Sequence, residues 1–179
     1  MTFASYPVLS RPPHQECKDQ VRTLKVESVI FRVNATLLSK ASAAFRKIFQ
    51  RYADSGQPIV LHGLKARKFK NLLWALSTRY DGVPFRIIIS INGRPSLLPQ
   101  PSDETSLDCL LDIEELALYY SINHLQIRAE STIIALVAQG KNPAILSCTS
   151  LSLARMVKIA LRVRSQYVLS FLLQMWTWR

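Results

Sequence analysis

Hydrophobic positions change their period along the chain, and these changes divide it into predicted strands and helices. From Val21 to Val33, β-branched and aromatic residues dominate, and Glu27-Ser28 interrupts them as a tight turn. This pattern predicts a β-hairpin. Phe31 and Val33 are two residues apart, so they share one face of the second strand and are expected to point into the core.

The period then becomes helical. Apolar residues recur at intervals of three and four, at Leu37, Leu38, Ala41, Phe45, Ile48 and Phe49. Ser42 lies inside this run and is a candidate N-cap, which would divide the segment into two short helices. A short strand follows at Ile59, Val60 and Leu61, and a third helix is predicted from the spacing of Phe69, Leu72, Leu73 and Leu76.

Residues 80–106 are predicted to be an insertion that contains a single strand. The stretch from Phe85 to Ile91 is strongly β-prone, and Asn92-Gly93 is a hairpin-turn signal. The following stretch contains Pro95, Pro99 and Pro101 and is expected to be a loop.

The rest of the chain is predicted to be helical. Two stripes, one of Ile113, Leu116, Ala117 and Tyr120 and the other of Leu125, Ala129, Ile133, Leu136 and Val137, indicate consecutive helices, and Gly140 and Pro143 end the second. A further helix begins at Ser150 or Ser152 and carries Leu153, Val157, Ala160 and Leu161; a last one carries Val168, Phe171, Leu172 and Met175. Mixed strands and helices followed by helices alone predict an α+β fold, with the stripes from Phe31 to Val137 closing into a single core.

Length and composition are those of one globular domain with short appendages. Hydrophobic residues make up 49% of the 179 residues, enough for a real core. Residues 1–18 contain Pro7, Pro12 and Pro13 without periodicity and are expected to form a mobile arm. Cys17, Cys109 and Cys148 are widely spaced and fit a reducing, intracellular compartment, either nucleus or cytoplasm. Neither a signal peptide nor an apolar run of about 18 residues is recognisable, so a membrane is not expected as a partner.

The residues do not suggest a catalytic or metal site. His14, His62 and His124 are far apart, and the paired ligand spacing of a zinc site is absent. Glu114 and Glu115 are adjacent on a predicted helix, so their side chains diverge, and with Asp112 they are expected to favour its first turn. We therefore expect no enzymatic activity, no metal and no cofactor.

The formal net charge is +11, from 23 Lys and Arg against 12 Asp and Glu. Such a balance serves solubility or indicates a nucleic-acid partner. Within the chain, the cluster from Lys65 to Lys70 lies at a predicted helix start, where a phosphate would also meet free N–H groups. A basic nucleic-acid-binding domain is therefore the alternative to a protein-binding function, and its affinity would be salt-sensitive and blind to sequence.

The stretch VESVIFRVNATLLSKASAAFRKIF resembles the start of a BTB/POZ domain, especially the fungal kind. In that family a strand ending in Phe-x-Val leads to Leu-Leu, then Ser-x-x-Phe, then a basic residue and a second Phe. The matching positions here are Phe31, Val33, Leu37, Leu38, Ser42, Phe45, Arg46 and Phe49. The short third strand, the third helix and the Leu-Ala-x-x-Tyr helix follow in the family's order, so the resemblance covers residues 19–137.

The resemblance implies a BTB/POZ-like domain at 19–137, with a small mixed sheet covered by helices and a helical extension at 144–179. Its implied function is homodimerisation and recruitment of partner proteins, without catalytic residues. Dimers of the family use the first hairpin and first helix, so the candidate surface comprises Val21, Leu24, Val26, Leu37, Leu38 and Phe45. Helix stripes usually face inward, which favours a core position for Leu38 and Phe45. Val21 and Leu24 fit a partner surface better, on an edge strand with unpaired backbone groups.

Two sequence features bear on partners other than a second copy of the chain. Many family members carry a hydrophobic-x-Glu element that helps to dock a cullin-type ubiquitin ligase scaffold, and none is recognisable between Tyr80 and Asp112. A cullin scaffold is therefore not expected as a partner. The apolar terminus Trp176-Thr177-Trp178-Arg179 either packs on the preceding helix, the reading we favour, or forms a docking patch.

Overall fold

The first two strands form the predicted hairpin. The computed structural model describes residues 21–53, 56–77, 89–91, 94–96, 107–139 and 143–178. Strands β1 (Val21–Val26) and β2 (Val29–Asn34) pair antiparallel, with Val26 opposite Val29. Glu27 in the turn between them has a φ of 52°. Its carboxylate accepts a hydrogen bond from the backbone N–H of Ala66 at 2.9 Å, which ties the turn to the start of the third helix.

The hairpin is one part of a three-stranded mixed sheet. Strand β3 (Ile59–Val60) pairs parallel with β1, giving the order β2-β1-β3. Since β1 is paired with β2 on one side and, at Leu24 and Lys25, with β3 on the other, the prediction that Leu24 lies on an edge strand is wrong, while Val21 lies beyond the pairing with β3. The alternation of buried and exposed positions places Leu24 and Phe31 on the same inner face of the sheet.

Two short helices follow the hairpin, as predicted. Helix α1 (Ala35–Ala41) is separated from α2 (Ala43–Arg51) by Ser42, whose side chain caps α2. The Ser42 hydroxyl accepts a hydrogen bond from the backbone N–H of Phe45 at 3.2 Å and donates one to the carbonyl of Tyr120 at 2.5 Å. One buried hydroxyl therefore both begins a helix and joins it to a distant part of the chain.

Helices α3 (Ala66–Ser77), α4 (Leu107–Tyr119) and α5 (Asn123–Ala138) complete the first hydrophobic cluster, which contains the inner face of the sheet. Aromatic rings occupy its centre. Phe45 stacks on Tyr120 with ring centroids 4.2 Å apart, and Phe31 meets Phe69 edge-on at 5.1 Å. Burial raises the pKa of the Tyr120 hydroxyl to about 12.

The predicted insertion contains two strands where the sequence pattern indicated one. Strand β4 (Ile89–Ile91) pairs antiparallel with β5 (Arg94–Ser96), and Ser90 lies opposite Pro95. Pro95 lacks a backbone N–H donor, but each strand of a two-stranded ribbon has one unpaired side, where proline is tolerated. The loop expected here is wrong for Arg94–Ser96. The turn at 92–93 and the remainder of the insertion lie outside the described residues, as does the arm at 1–18.

The C-terminal extension comprises α6 (Pro143–Leu146), α7 (Ser150–Arg162) and α8 (Gln166–Thr177). The sequence pattern missed α6. Helix α7 begins at Ser150, one of the two predicted starts, and Thr149 caps it, since the Thr149 hydroxyl accepts a hydrogen bond from the backbone N–H of Ser152 at 3.1 Å. Within the described ranges, no helix is long and apolar enough to cross a membrane.

The core is divided into two hydrophobic clusters, so the expectation of one core from Phe31 to Val137 is wrong. The first cluster ends at Ala129, whereas Ile133 and Val137 belong to a second cluster with α7 and α8. Helix α4 likewise contributes Leu111 to the second cluster and Leu116 to the first. Because α4 and α5 serve both clusters, the extension packs on the first part of the fold through shared helices.

Candidate interaction surfaces

Most of the side chains predicted to form a dimer surface lie in the core. Leu24, Val26, Leu38 and Phe45 are between 0% and 2% exposed, so they are unavailable to a partner of the folded chain. Val21 is 56% exposed and Leu37 is half-buried. The structure therefore does not bring the six residues together as a surface, because the apolar stripes of the hairpin and first helices face inward.

The surface that α1 and α2 do present is basic. Arg46, Lys47 and Arg51 lie on the outer arc of α2, opposite its buried Phe45 and Phe49. Lys40 on α1 and Arg22 on β1 extend this set. We call Arg22, Lys40, Arg46, Lys47 and Arg51 the cationic face. The sequence from residue 28 to residue 53 contains no Asp or Glu, so α1 and α2 carry no acidic residue.

A groove of about 660 Å³ lies within the cationic face, between β1, α1 and α2. Its polar lining consists of Arg22, Thr36, Ser39, Lys40, Arg46 and Gln50. The backbone holds both guanidinium groups in place. Arg22 donates to the carbonyl of Ala53 at 2.9 Å, and Arg46 donates twice to the carbonyl of Ser39, at 3.1 and 3.3 Å. The groove thus presents fixed positive charge beside hydroxyl and amide groups.

Helix α8 presents a different kind of surface. Its inner side chains, including Val168 and Leu172, belong to the second hydrophobic cluster. A second apolar row lies beside them at Leu169, Leu173 and Trp176, spaced i, i+4 and i+7, and we call these three residues the outer stripe. Leu169 is half-buried against the second hydrophobic cluster, while Leu173 and Trp176 are each 48% exposed.

The exposed apolar side chains at this end of the chain are not accompanied by charge. Helix α8, from Gln166 to Thr177, contains no Lys, Arg, Asp or Glu. Trp178 is 88% exposed, so the packing favoured for the terminal aromatic residues is wrong for this side chain. Large exposed apolar areas on a folded protein indicate an interaction site.

Buried carboxylates on α4 hold the extension in place. Asp112 is 2% exposed and lies in the middle of α4, so its predicted role in the first helical turn is wrong. It meets Arg67 at 3.5 Å, Lys68 at 3.9 Å and Arg155 of α7 at 3.6 Å. Glu115 pairs with both Lys68 and Arg155 at 2.7 Å. Burial raises the pKa of Asp112, and the surrounding cations oppose that rise.

A second group of charges joins α4, α5 and α7. The guanidinium of Arg162 on α7 pairs with the buried carboxylate of Glu114 and, at 2.8 Å, with that of Glu130 on α5. Burial raises the pKa of Glu114, and Arg162 opposes the rise. Since α7 packs against α8, these ion pairs also fix the position of the outer stripe relative to α4 and α5.

Ion pairs within the fold reduce the positive charge that is free to bind an anion at the predicted phosphate site, Lys65 to Lys70. Lys65 pairs with Glu27 at 3.0 Å, and Arg67 and Lys68 pair with the α4 carboxylates. Much of the positive charge in this cluster is therefore neutralised within the fold. A nearby cavity of about 530 Å³ is lined by Lys65, Lys68 and the carboxylate of Glu115, together with His62 and exposed Tyr119. This mixed lining does not favour an anion.

Neither the cationic face nor the outer stripe was predicted from the sequence, although the sequence contains a signal for each. Apolar residues at 168, 169, 172, 173, 175 and 176 cover a wider arc than one buried face requires. For the cationic face, the signal was the absence of acidic residues over 28–53 rather than any run of basic ones.

Neither the arrangement of possible metal ligands nor comparison with known proteins assigns a site. Across the ranges that the structure describes, no group of three or more His, Cys, Asp or Glu is placed to hold a metal ion. No protein-family model matches the chain, and no curated protein matches it significantly.

Proposed function

We propose that this chain is a non-enzymatic protein-interaction domain of the BTB/POZ type, which forms homodimers and recruits partner proteins. The order of elements supports this proposal. A hairpin, two short helices, a third strand beside the first, a third helix and two further helices follow one another from β1 to α5, interrupted by β4 and β5. That order, apart from the β4–β5 insertion, is the one implied by the resemblance of residues 19–137 to the family.

The observation that carries the proposal is the outer stripe of α8. Leu169, Leu173 and Trp176 form one row on a helix whose other apolar row is already buried. Side chains at i, i+4 and i+7 are the anchors through which a helix packs against another helix. Leu169 also packs within its own chain, so the exposed part of the stripe, Leu173 and Trp176, provides the contact for a partner helix.

Charge favours a second copy at α8 over a second copy at the hairpin and α1. Each copy carries a formal net charge of +11, so two copies repel each other at long range. A dimer across the cationic face would bring Lys40 and Arg46 close to their counterparts, and α1 and α2 supply no acidic residue to compensate. A dimer across α8 brings together two uncharged helices. We therefore propose α8, rather than the six residues first predicted, as the self-association surface.

The size of the helix sets the expected strength of the dimer. The 12 residues of α8 span about 18 Å. Two such helices packed about a twofold axis form an isologous contact. This contact is small compared with the roughly 1,600 Å² of total area buried in a standard interface. We therefore expect reversible dimers with a dissociation constant in the micromolar range.

Charged substitutions in the outer stripe test this surface. The double variant Leu173→Glu/Trp176→Glu is expected to be monomeric at concentrations where the unmodified chain dimerises, because the contact would bury four carboxylates without partners. Sedimentation equilibrium measures the dissociation constant, which should rise at least about 100-fold, as expected for a loss of about 3 kcal/mol.

The matched control is Ser170→Glu/Gln174→Glu, which adds the same charge on the exposed polar arc of the same helix. It should dimerise within a few-fold of the unmodified chain. Circular dichroism must show native helix content for both variants. Equal loss of dimer in the two variants, or a stripe variant that dimerises normally, would refute the placement on α8.

A further inference from the structure

Positive charge is distributed unevenly over the fold. The carboxylates of Asp112, Glu114, Glu115 and Glu130 are concentrated on α4 and α5, where cations of α3 and α7 pair with them. Glu27 pairs with Lys65. In the described part of the chain, the excess positive charge therefore lies mainly on Lys and Arg residues outside these ion pairs. The five residues of the cationic face carry a large share of it.

The cationic face has the geometry of a phosphate-binding surface. Arg22 and Arg46 are held at the groove by backbone carbonyls, so little side-chain freedom is lost when they bind. Thr36 and Ser39 add hydroxyl donors to the groove lining. Buried Phe49 also lines the groove, so the hydroxyl and guanidinium groups lie beside a fixed part of the core.

The positive charge also extends beyond the groove. Lys47 and Arg51 continue it along the outer arc of α2, whose nine residues span about 13 Å. A single small anion would occupy only the groove. A linear polyanion with regularly spaced charges would contact the groove and the outer arc together.

The apolar content of the surface distinguishes between an acidic peptide and a nucleic acid as the polyanion. Acidic peptides bind through a buried apolar core in addition to charge. None of the exposed large apolar side chains of the described residues lies on α1 or α2, and only Val21 and Tyr52, at the two ends of the cationic face, adjoin it. Nucleic-acid backbones require no such anchors, since phosphate contacts alone provide sequence-independent affinity.

We propose that the cationic face is a nucleic-acid-binding surface, which contacts backbone phosphates without reading the base sequence. This site is separate from the outer stripe on α8, so a dimer formed there leaves both cationic faces available. The binding is placed on α1, α2 and β1 rather than at the Lys65 to Lys70 cluster, whose charge is largely paired.

Salt titrations of the full chain test the proposal. Fluorescence anisotropy would measure the affinity for a mixed-sequence DNA duplex of about 20 base pairs, between about 50 and 200 mM salt. If all five cations contact phosphates, the slope of log affinity against log salt is about −4.5. Lys40→Gln/Lys47→Gln should make the slope less negative by about 1.8 and lower the affinity about 60-fold at about 0.1 M salt.

The control variant Lys158→Gln/Arg164→Gln removes the same net charge from exposed positions on α7 and its following turn. It should change the slope by less than about half a unit, since those residues make no phosphate contact on this account. Equal effects of the two double variants would overturn the proposal in favour of diffuse attraction. Tighter binding of polyglutamate of equal charge than of the duplex would overturn it in favour of an acidic peptide. Unchanged circular dichroism of both variants excludes unfolding as the cause.

Discussion

Replacing Phe45 by alanine is expected to lower the free energy of unfolding by about 4 kcal/mol. The ring is fully buried, stacks on Tyr120 at 4.2 Å and lies 6.3 Å from Phe69. Its removal leaves a cavity where the first helices meet α3 and α4. The surrounding aromatic rings leave little scope for the cavity to collapse. Urea denaturation monitored by circular dichroism measures the change in the free energy of unfolding.

Val21→Ala is the control for this prediction, because Val21 was assigned to the same dimer surface but is more than half exposed. It should cost less than about 0.5 kcal/mol. A Phe45→Ala chain that keeps its stability but no longer dimerises would contradict the core position and restore the surface implied by the family resemblance.

Replacing Arg162 by alanine is expected to lower the free energy of unfolding by about 3 kcal/mol near pH 7. The guanidinium pairs with both Glu114 and Glu130, and its loss leaves two buried carboxylates close together without an ion-pair partner. Helix α7 would lose an electrostatic link to α4 and α5. Urea denaturation measures the loss, and Lys158→Ala, one turn earlier on the exposed side of α7, should cost less than about 0.5 kcal/mol.

The dependence of this loss on pH has a defined sign. Burial already raises the pKa of Glu114, and removal of Arg162 removes the larger of the two cationic effects that oppose the rise, leaving that of Arg155. A carboxyl group with a raised pKa in the folded state binds protons more readily than in the unfolded chain, so its contribution to stability improves as pH falls through the folded pKa. The deficit of the variant should therefore be smaller at about pH 5 than at about pH 7. A deficit that grows on acidification would contradict the buried pairing.

Local signals were sufficient for the hairpin and the first helices. β-Branched residues on both sides of Glu27-Ser28 fix the strands, and Ser42 breaks a helical run at the point where its hydroxyl caps α2. These features depend on neighbours within a few residues, which sequence patterns describe well. The α+β class followed from the same patterns.

The surfaces could not be predicted from the same signals. The burial of Leu24 depends on pairing of β1 with β3, which is distant in sequence, and this pairing also removed the expected free edge. Asp112 and Glu114 are buried because cations on α3 and α7 approach them, and nothing in the local sequence shows that approach. Pro95 suggested a loop because proline is rare inside strands. It is tolerated in β5 because one side of each strand in a two-stranded ribbon is unpaired, and the local sequence does not show that pairing.

The salt dependence of self-association tests the central claim, that two copies meet through the uncharged outer stripe of α8. Each copy has a formal net charge of +11, and salt screens the repulsion between copies without weakening apolar contacts. Sedimentation equilibrium from about 50 to about 500 mM salt should show the dimer becoming tighter as salt increases. A dimer that weakens over this range would show that attraction between opposite charges holds the copies together, and would contradict the account.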